Sequence, residues 1–284
     1  LINFLLAKPL AFHVFHKPPL FLPLEIIAVF IFLNALLGFT NSAFNAFQEF
    51  KFKSEVKRID RKRILRFLSF LTIGSISGVV FAYVDSIMLG IFMAAEYVGF
   101  YRASYNIVIA IAGLAAIAGV LFPVFIQLEG DDLNNAFQKV FKYSTILSFP
   151  FAFGLAFIAE PFVKVIYGSD YLPAVYPLYA LSFLIITATT DFFGTMFNAK
   201  EKPEYPAMVI IVSMTLNVIL NYFLILKFGM IGAAVATVIS TYFNFVSLSI
   251  LSKRVLDIFP ALSSIYKPLF SSLAMVAFLY FIPN

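Results

Sequence analysis

The feature that most constrains this chain is a succession of apolar runs, each about as long as a membrane is thick. About 30 Å of hydrocarbon takes about 20 helical residues, and within it every backbone N–H and C=O must be bonded inside its own segment. Eight runs meet that length or approach it, at about 21–47, 67–93, 101–126, 143–159, 174–197, 206–226, 231–252 and 268–282. A leader from Leu1 to Phe15, broken by Lys8-Pro9, reads as the stump of a helix or an interfacial segment. The expected fold class is all-α: a polytopic transmembrane bundle of about eight spans plus a partial N-terminal one.

Composition carries the same message. Hydrophobic residues make up 62% of the chain and charged ones 12%, whereas a soluble domain is near half apolar and a quarter charged. One core could not hide that much apolar area, but lipid can cover the outside of a bundle. There is no cysteine, which excludes disulfides and thiolate metal sites. His13 and His16 have no carboxylate cluster beside them, so no metal site is expected. Nothing in the sequence matches a G-x-S-x-G, Walker or zinc motif. No catalytic residue and no cofactor are therefore expected, and the chain does not read as an enzyme. The net charge of +5 is gathered in a few loops, a pattern of membrane orientation rather than of nucleic-acid binding.

Those loops set an orientation. Lys51, Lys53, Lys57, Arg58, Arg61, Lys62, Arg63 and Arg66 crowd the first connection. Alternation puts three further loops on the same side: 127–142 with Lys139 and Lys142, 198–205 with Lys200 and Lys202, and 253–267 with Lys253, Arg254 and Lys267. The other side keeps Lys17, Arg102, Lys164 and Lys227. By the positive-inside bias the crowded side is cytoplasmic, and the stretch 51–66 is also suited to anionic lipid headgroups. In the 127–142 loop, Asp131 or Asp132 is expected to cap a short amphipathic helix carrying Ala136, Phe137, Val140 and Phe141 along the inner surface.

Polar residues inside spans are few, and each needs a partner or a watery cavity. Asp85 lies in the span 67–93, and Arg102 opens the next one past a short turn from Ala94 to Tyr101. Both the ion pair of a helical hairpin and the charged wall of a transport cavity fit them. Asp191 lies near the inner end of its span. Asn217 and Asn221, four apart, share one helix face, where amides bond a neighbouring helix or a substrate. Gly229, Gly232, Ala233, Ala234 and Ala236 are small enough to close the spans 206–226 and 231–252 into a tight hairpin. Pro123, Pro150 and Pro161 are expected to bend or end helices.

Several segments resemble the polysaccharide-export flippases of the multidrug/oligosaccharidyl-lipid/polysaccharide exporter superfamily. Tyr83–Gly90 followed by Val98–Ser104 looks like that family's seventh and eighth helices, with an Asp-bearing span leading to a G-x-Y-x-A turn. Leu121-Phe122-Pro123, Ile166–Tyr171 and the pair of helices from Asn217 to Ser240 follow in the family's order. The resemblance covers about 63–284 and implies the C-terminal lobe of a two-lobed flippase in the cell membrane, working by alternating access. It implies a lipid-linked oligosaccharide or polysaccharide precursor as substrate; Asp85, Arg102, Asp191, Asn217 and Asn221, singled out above by their place in apolar spans, are the candidates for a transport cavity or for buried polar packing.

On this reading residues 1–50 are a remnant of N-terminal lobe helices, 51–66 a basic cytoplasmic linker and 67–284 the C-terminal lobe. An even number of spans is then missing relative to the family, as in a fragment or an internally shortened member. Two alternatives are a cation-coupled multidrug exporter of the same superfamily and an integral-membrane glycosyltransferase. The first is expected to carry acidic ion ligands in an N-terminal lobe; the second needs acidic residues and a sizeable outer domain, where these loops are short.

Overall fold

Lipid leaves the backbone no partner but itself, and no strand occurs among the described residues of the computed structural model. These are residues 61–115 and 122–281, with isolated positions at 29, 33, 36 and 40. The leader, the run 21–47 and the basic stretch up to residue 60 lie outside them. Residues 61–284 form one compact unit, which is the one described below.

The first helix, α1 (Arg61–Phe92), starts in the basic stretch and contains the expected second span. The turn anticipated across Ala94 to Tyr101 is much shorter. Met93 N still donates to the Leu89 carbonyl, and α2 (Ala95–Ala115) begins at once. Glu96 in its first turn favours that early start, because a carboxylate complements the positive end of the helix dipole. The run 101–126 continues beyond residues outside the description into α3 (Phe122–Gln127), where Pro123 occupies the first turn that tolerates it.

The amphipathic loop helix and the span after it are one element, α4 (Gly130–Phe157). Its N-cap is Glu129, with extended backbone and no side-chain cap bond, and not Asp131 or Asp132. Those two sit in the first turn, where they act on the dipole instead. Pro150 lies inside α4 without ending it, and α5 (Ala159–Tyr167) follows directly, carrying Pro161. The run 174–197 is not one helix. A 3₁₀ stretch Ser169–Ala174 leads to α6 (Val175–Leu181), a second 3₁₀ stretch Ser182–Thr189, and α7 (Thr190–Ala199).

The small-residue string builds a hairpin inside α8 (Glu204–Leu256), whose two arms part at Gly229 (φ 58°, ψ −135°). A positive φ is a conformation that glycine adopts freely. The arms run back against each other: Asn244 Nδ2 donates to Ser213 Oγ at 3.2 Å, fifteen or sixteen residues either side of the bend. Ala233, Ala234 and Ala236 are fully buried. Helix α9 (Ser263–Phe281) closes the chain's described part beside α4.

The four basic loops meet at one end of this unit. Arg63 pairs with Glu201, and Arg66 Nη2 reaches Glu204 Oε1 at 3.4 Å. Lys200 Nζ donates to the Leu128 carbonyl, and Lys202 Nζ to that of Val255 at 3.4 Å. Gln138 ties α4 to the last connection, donating to the Phe259 carbonyl at 2.6 Å and accepting from Ala261 N at 2.9 Å. Beneath them lies an aromatic cluster with Phe137, Phe141 and Phe193 at its centre. A second apolar cluster, around Leu89, Tyr101, Leu178 and Ala233, fills the opposite half. Among the described residues, five helical stretches are long and apolar enough to cross a membrane: Lys62–Phe92, Gly130–Phe157, Ser169–Ala199, Glu204–Leu256 and Ser263–Phe281. The chain is a multi-pass membrane protein.

The bend makes a sharp demand on one position. A Cβ on Gly232 would collide with the Leu224 carbonyl of the facing arm, whereas one on Gly78 meets nothing within 4 Å. We expect Gly232→Ala to destabilise by about 3 kcal/mol, the upper end of ordinary overpacking. Gly78→Ala should be neutral or stabilising by up to about 1 kcal/mol. Thermal unfolding in detergent, followed by circular dichroism, reads both.

Candidate functional site

Between the two apolar clusters runs a polar seam. Arm one of α8 contributes Ser213, Asn217 and Asn221 at four-residue spacing, so all three share a face. Arm two contributes Thr237, Ser240 and Asn244, and α1 contributes Asp85. Every one of these side chains is buried, and Asp85 is 2% exposed.

Asp85 is the hub. Its Oδ2 accepts from Tyr101 Oη at 2.6 Å and from Thr237 Oγ1 at 2.5 Å. Its Oδ1 accepts from Asn221 Nδ2 at 2.5 Å. The same Asn221 amide nitrogen donates to Asn217 Oδ1 at 2.9 Å, and Thr237 Oγ1 also lies 3.0 Å from the Ala233 carbonyl. One carboxylate therefore joins α1, α2 and both arms of α8.

The ion pair anticipated between Asp85 and Arg102 does not form. Successive residues on a helix point about 100° apart, so Tyr101 takes the place facing Asp85 and Arg102 is turned aside. Its guanidinium lies 4.9 Å from the centre of the Tyr83 ring and 5.2 Å from that of Tyr105. Nη1 donates to the Ala82 carbonyl at 3.4 Å. Cation–π contacts of this kind are worth about 0.5–2 kcal/mol each. No carboxylate among the described residues pairs with Arg102.

The structure thus brings Asp85, Asn217 and Asn221 together and sets Arg102 apart on the neighbouring face. The side chain of Asp191 lies outside the described residues. Tyr83, Tyr101, Tyr105 and Thr237 are additional members. Thr237 stands four residues after Ala233 and opposite Asn221 once the hairpin closes. The tyrosines flank Asp85 and Arg102 within the two segments Tyr83–Gly90 and Val98–Ser104.

Three polar atoms of the seam have no hydrogen-bond partner among the described residues: Asn217 Nδ2, Asn221 Oδ1 and Ser240 Oγ. Turning the Asn221 amide by half a turn would aim Oδ1 at Asp85 Oδ1 and Asn217 Oδ1. Three oxygens converging in a dry interior repel one another unless a cation lies among them. The donor set is one carboxylate with neutral oxygens from Asn217, Asn221, Thr237 and the Ala233 carbonyl. Hard oxygens with a single negative charge suit a small monovalent cation. No group of three His, Cys, Asp or Glu side chains that could hold a multivalent ion stands among the described residues.

Comparison with known proteins shows what the chain as a whole is similar to. The family described as polysaccharide biosynthesis protein matches residues 43–176. A probable low-salt glycan biosynthesis flippase of Haloferax volcanii is 28% identical over 189 residues, which is 64% of this chain and 40% of that protein. A membrane protein of the cps region of Klebsiella pneumoniae is 27% identical over 235 residues, 80% of this chain and 48% of its own. The chain spans less than half the length of these curated relatives. Among solved structures, a lipid II flippase in an inward closed conformation aligns with a TM-score of 0.66 at 18% identity, over all of this chain and 60% of that one. A superfamily transporter from Pyrococcus furiosus aligns with a TM-score of 0.57 at 15% identity, over 78% and 54% of the two chains. At these identities the structural likeness is one of fold.

The geometry predicts which residues act together. Removing Asp85 and Asn221 by alanine, singly and jointly, should give a coupling energy of about 1 kcal/mol or more in unfolding measurements. Asp85 and Arg102 should couple by less than about 0.5 kcal/mol.

Proposed function

We propose that the chain is a member of the polysaccharide biosynthesis protein family and forms one lobe of a flippase for lipid-linked oligosaccharide or polysaccharide precursors. The basic end faces the cytosol, where the stretch 51–66 meets anionic headgroups. The lobe, 67–284, rocks against its counterpart so that a polar cavity opens to each side in turn.

The observation that carries this reading is Arg102. An arginine held at membrane depth costs about 2.5–3.5 kcal/mol on insertion scales, and among the described residues no carboxylate offsets it. Two tyrosine rings hold the guanidinium in place while leaving it partly exposed. A planar fork of donors, held steady and unpaired, is suited to a phosphate oxygen, the anionic group that joins a sugar to its lipid carrier. Arg102 is accordingly the contact for the substrate's phosphate, and Tyr83 and Tyr105 orient it.

The test is surface glycan in cells that lack their own exporter and carry the intact gene. Arg102→Gln should lower surface glycan at least tenfold, with Arg102→Lys intermediate because an ammonium loses the stacked, forked geometry. Wild-type levels from Arg102→Gln, with the protein present in the membrane, would sink the assignment.

The Asp85 cluster takes the coupling role. A sodium ion among Asp85, Asn217, Asn221 and Thr237 would tie α1 to the α8 hairpin when bound and loosen that tie when it leaves. Binding to the folded state alone raises its unfolding midpoint. Sodium chloride should therefore raise the midpoint more than choline chloride does, and Asp85→Asn should remove the difference. Equal responses to the two salts in the wild type contradict the ion site and leave the Arg102 assignment untouched.

A further inference from the structure

A second polar recess lies at the basic end, away from both Arg102 and the Asp85 cluster. It is a groove of about 500 Å³ between the first half of α1, the end of α7 and the two arms of α8, within the roughly 300–1,000 Å³ typical of small-molecule sites. Small residues shape it: Gly194 of α7 leaves room where a side chain would stand, and Gly74 lets α1 come close to Ala207. None of its lining residues is ionisable.

The polar groups that line it are neutral, and Asn244, whose Nδ2 donates to Ser213 Oγ, keeps its amide oxygen for other partners. Asn198 Oδ1 is buried and has no hydrogen-bond partner among the described residues. Asn244 brings a second amide, and Ser75 and Thr195 bring hydroxyls. Phe70 supplies an aromatic wall on the α1 side. Arg63 pairs with Glu201, and Arg66, which pairs with Glu204, also lies over the Phe70 ring with its guanidinium carbon 6.0 Å from the ring centre. Among the described residues both of these cations already face a carboxylate. A neutral ligand that offers hydroxyls along its edge and C–H groups on its face would meet both kinds of surface, the amides with the first and the ring with the second.

We propose that this groove is a saccharide subsite, which holds one or two neutral sugar units of the glycan by the amides of Asn198 and Asn244 and the face of Phe70. The proposal rests on the flippase reading for its physiological ligand and adds to it a place where the sugar is selected. The separation from Arg102 lets the phosphate and the sugar be read by different surfaces. Specificity then follows from buried polar groups that are left unpaired by a sugar with the wrong hydroxyl pattern.

The full chain in lipid nanodiscs can be probed by saturation-transfer NMR with free maltose and with N,N′-diacetylchitobiose at millimolar concentration, where weak sites still report. The wild type should pass saturation to the ring C–H protons of at least one of them. Gly194→Leu fills the groove from a position where an added Cβ meets nothing within 4 Å, and should reduce the transfer at least fivefold. Asn198→Ala, which leaves the backbone and the groove walls in place, should reduce it at least threefold. Arg102→Gln should leave it unchanged. No transfer with either sugar overturns the proposal, and so does transfer that survives both groove substitutions or is lost with Arg102→Gln. Groove-dependent transfer from a chain that restores no surface glycan would support the subsite while rejecting the flippase reading; restored glycan without such transfer would do the reverse.

Discussion

A carboxylate in a membrane interior holds its neighbours as firmly as they hold it. Asp85 costs several kcal/mol to keep away from water unless donors surround it, and here they come from Tyr101, Thr237 and Asn221. Those donors lie on α2 and on both arms of α8, so the side chain fixes the register of three helical segments at one depth. The bend at Gly229 is what makes this possible, because it brings Asn221 and Thr237 opposite each other. The apolar clusters above and below contribute area but little direction. The polar seam determines which face of each helix turns inward.

Much of the bundle was legible in the sequence, and the reason is the solvent. A bilayer demands long apolar runs, so spans announce themselves, and the charges left over mark the connections. The four loops grouped by alternation do converge at one end, where Arg63, Arg66, Lys200 and Lys202 find partners on neighbouring loops. The small residues from Gly229 to Ala236 foretold the close hairpin. Boundaries were less visible. The start of α2 moved to Ala95, where Glu96 in the first turn favours it, and the amphipathic loop helix fused with its span in α4 because no helix breaker stands between Gly130 and Phe149 and Pro150 removes one ladder bond without ending the helix.

The site was legible in its members more than in its pairing. Asp85, Asn217 and Asn221 stand out from an apolar background and do meet. The partner of Asp85 was misread, since charge complementarity pointed to Arg102 while helix geometry turned Tyr101 toward it. One position along a helix is a different face, and a chain of hydroxyls and amides can serve a carboxylate as well as a guanidinium does. Thr237 could be found only once the hairpin had placed it, because its role depends on Asn221 of the other arm. The groove beside Asn198 had no sequence signal at all: it is shaped by small residues, Gly74 and Gly194, on helices far apart in the chain.

The 3₁₀ stretch Ser182–Thr189 has a mechanical meaning for the span that contains it. Wound at three residues per turn, a helix climbs about 2.0 Å per residue instead of about 1.5 Å. These eight residues therefore reach about 4 Å farther than an α-helical segment of equal length, about three-quarters of the height of one α-turn. The Phe183 carbonyl accepts a bond from Tyr242 Oη at 3.1 Å, so the tighter winding is latched from the side by the second arm of α8. Rewinding the stretch to the ordinary α pitch would shorten this span and turn everything beyond it like a screw, and the phenolic latch is the point at which such a stroke would have to begin.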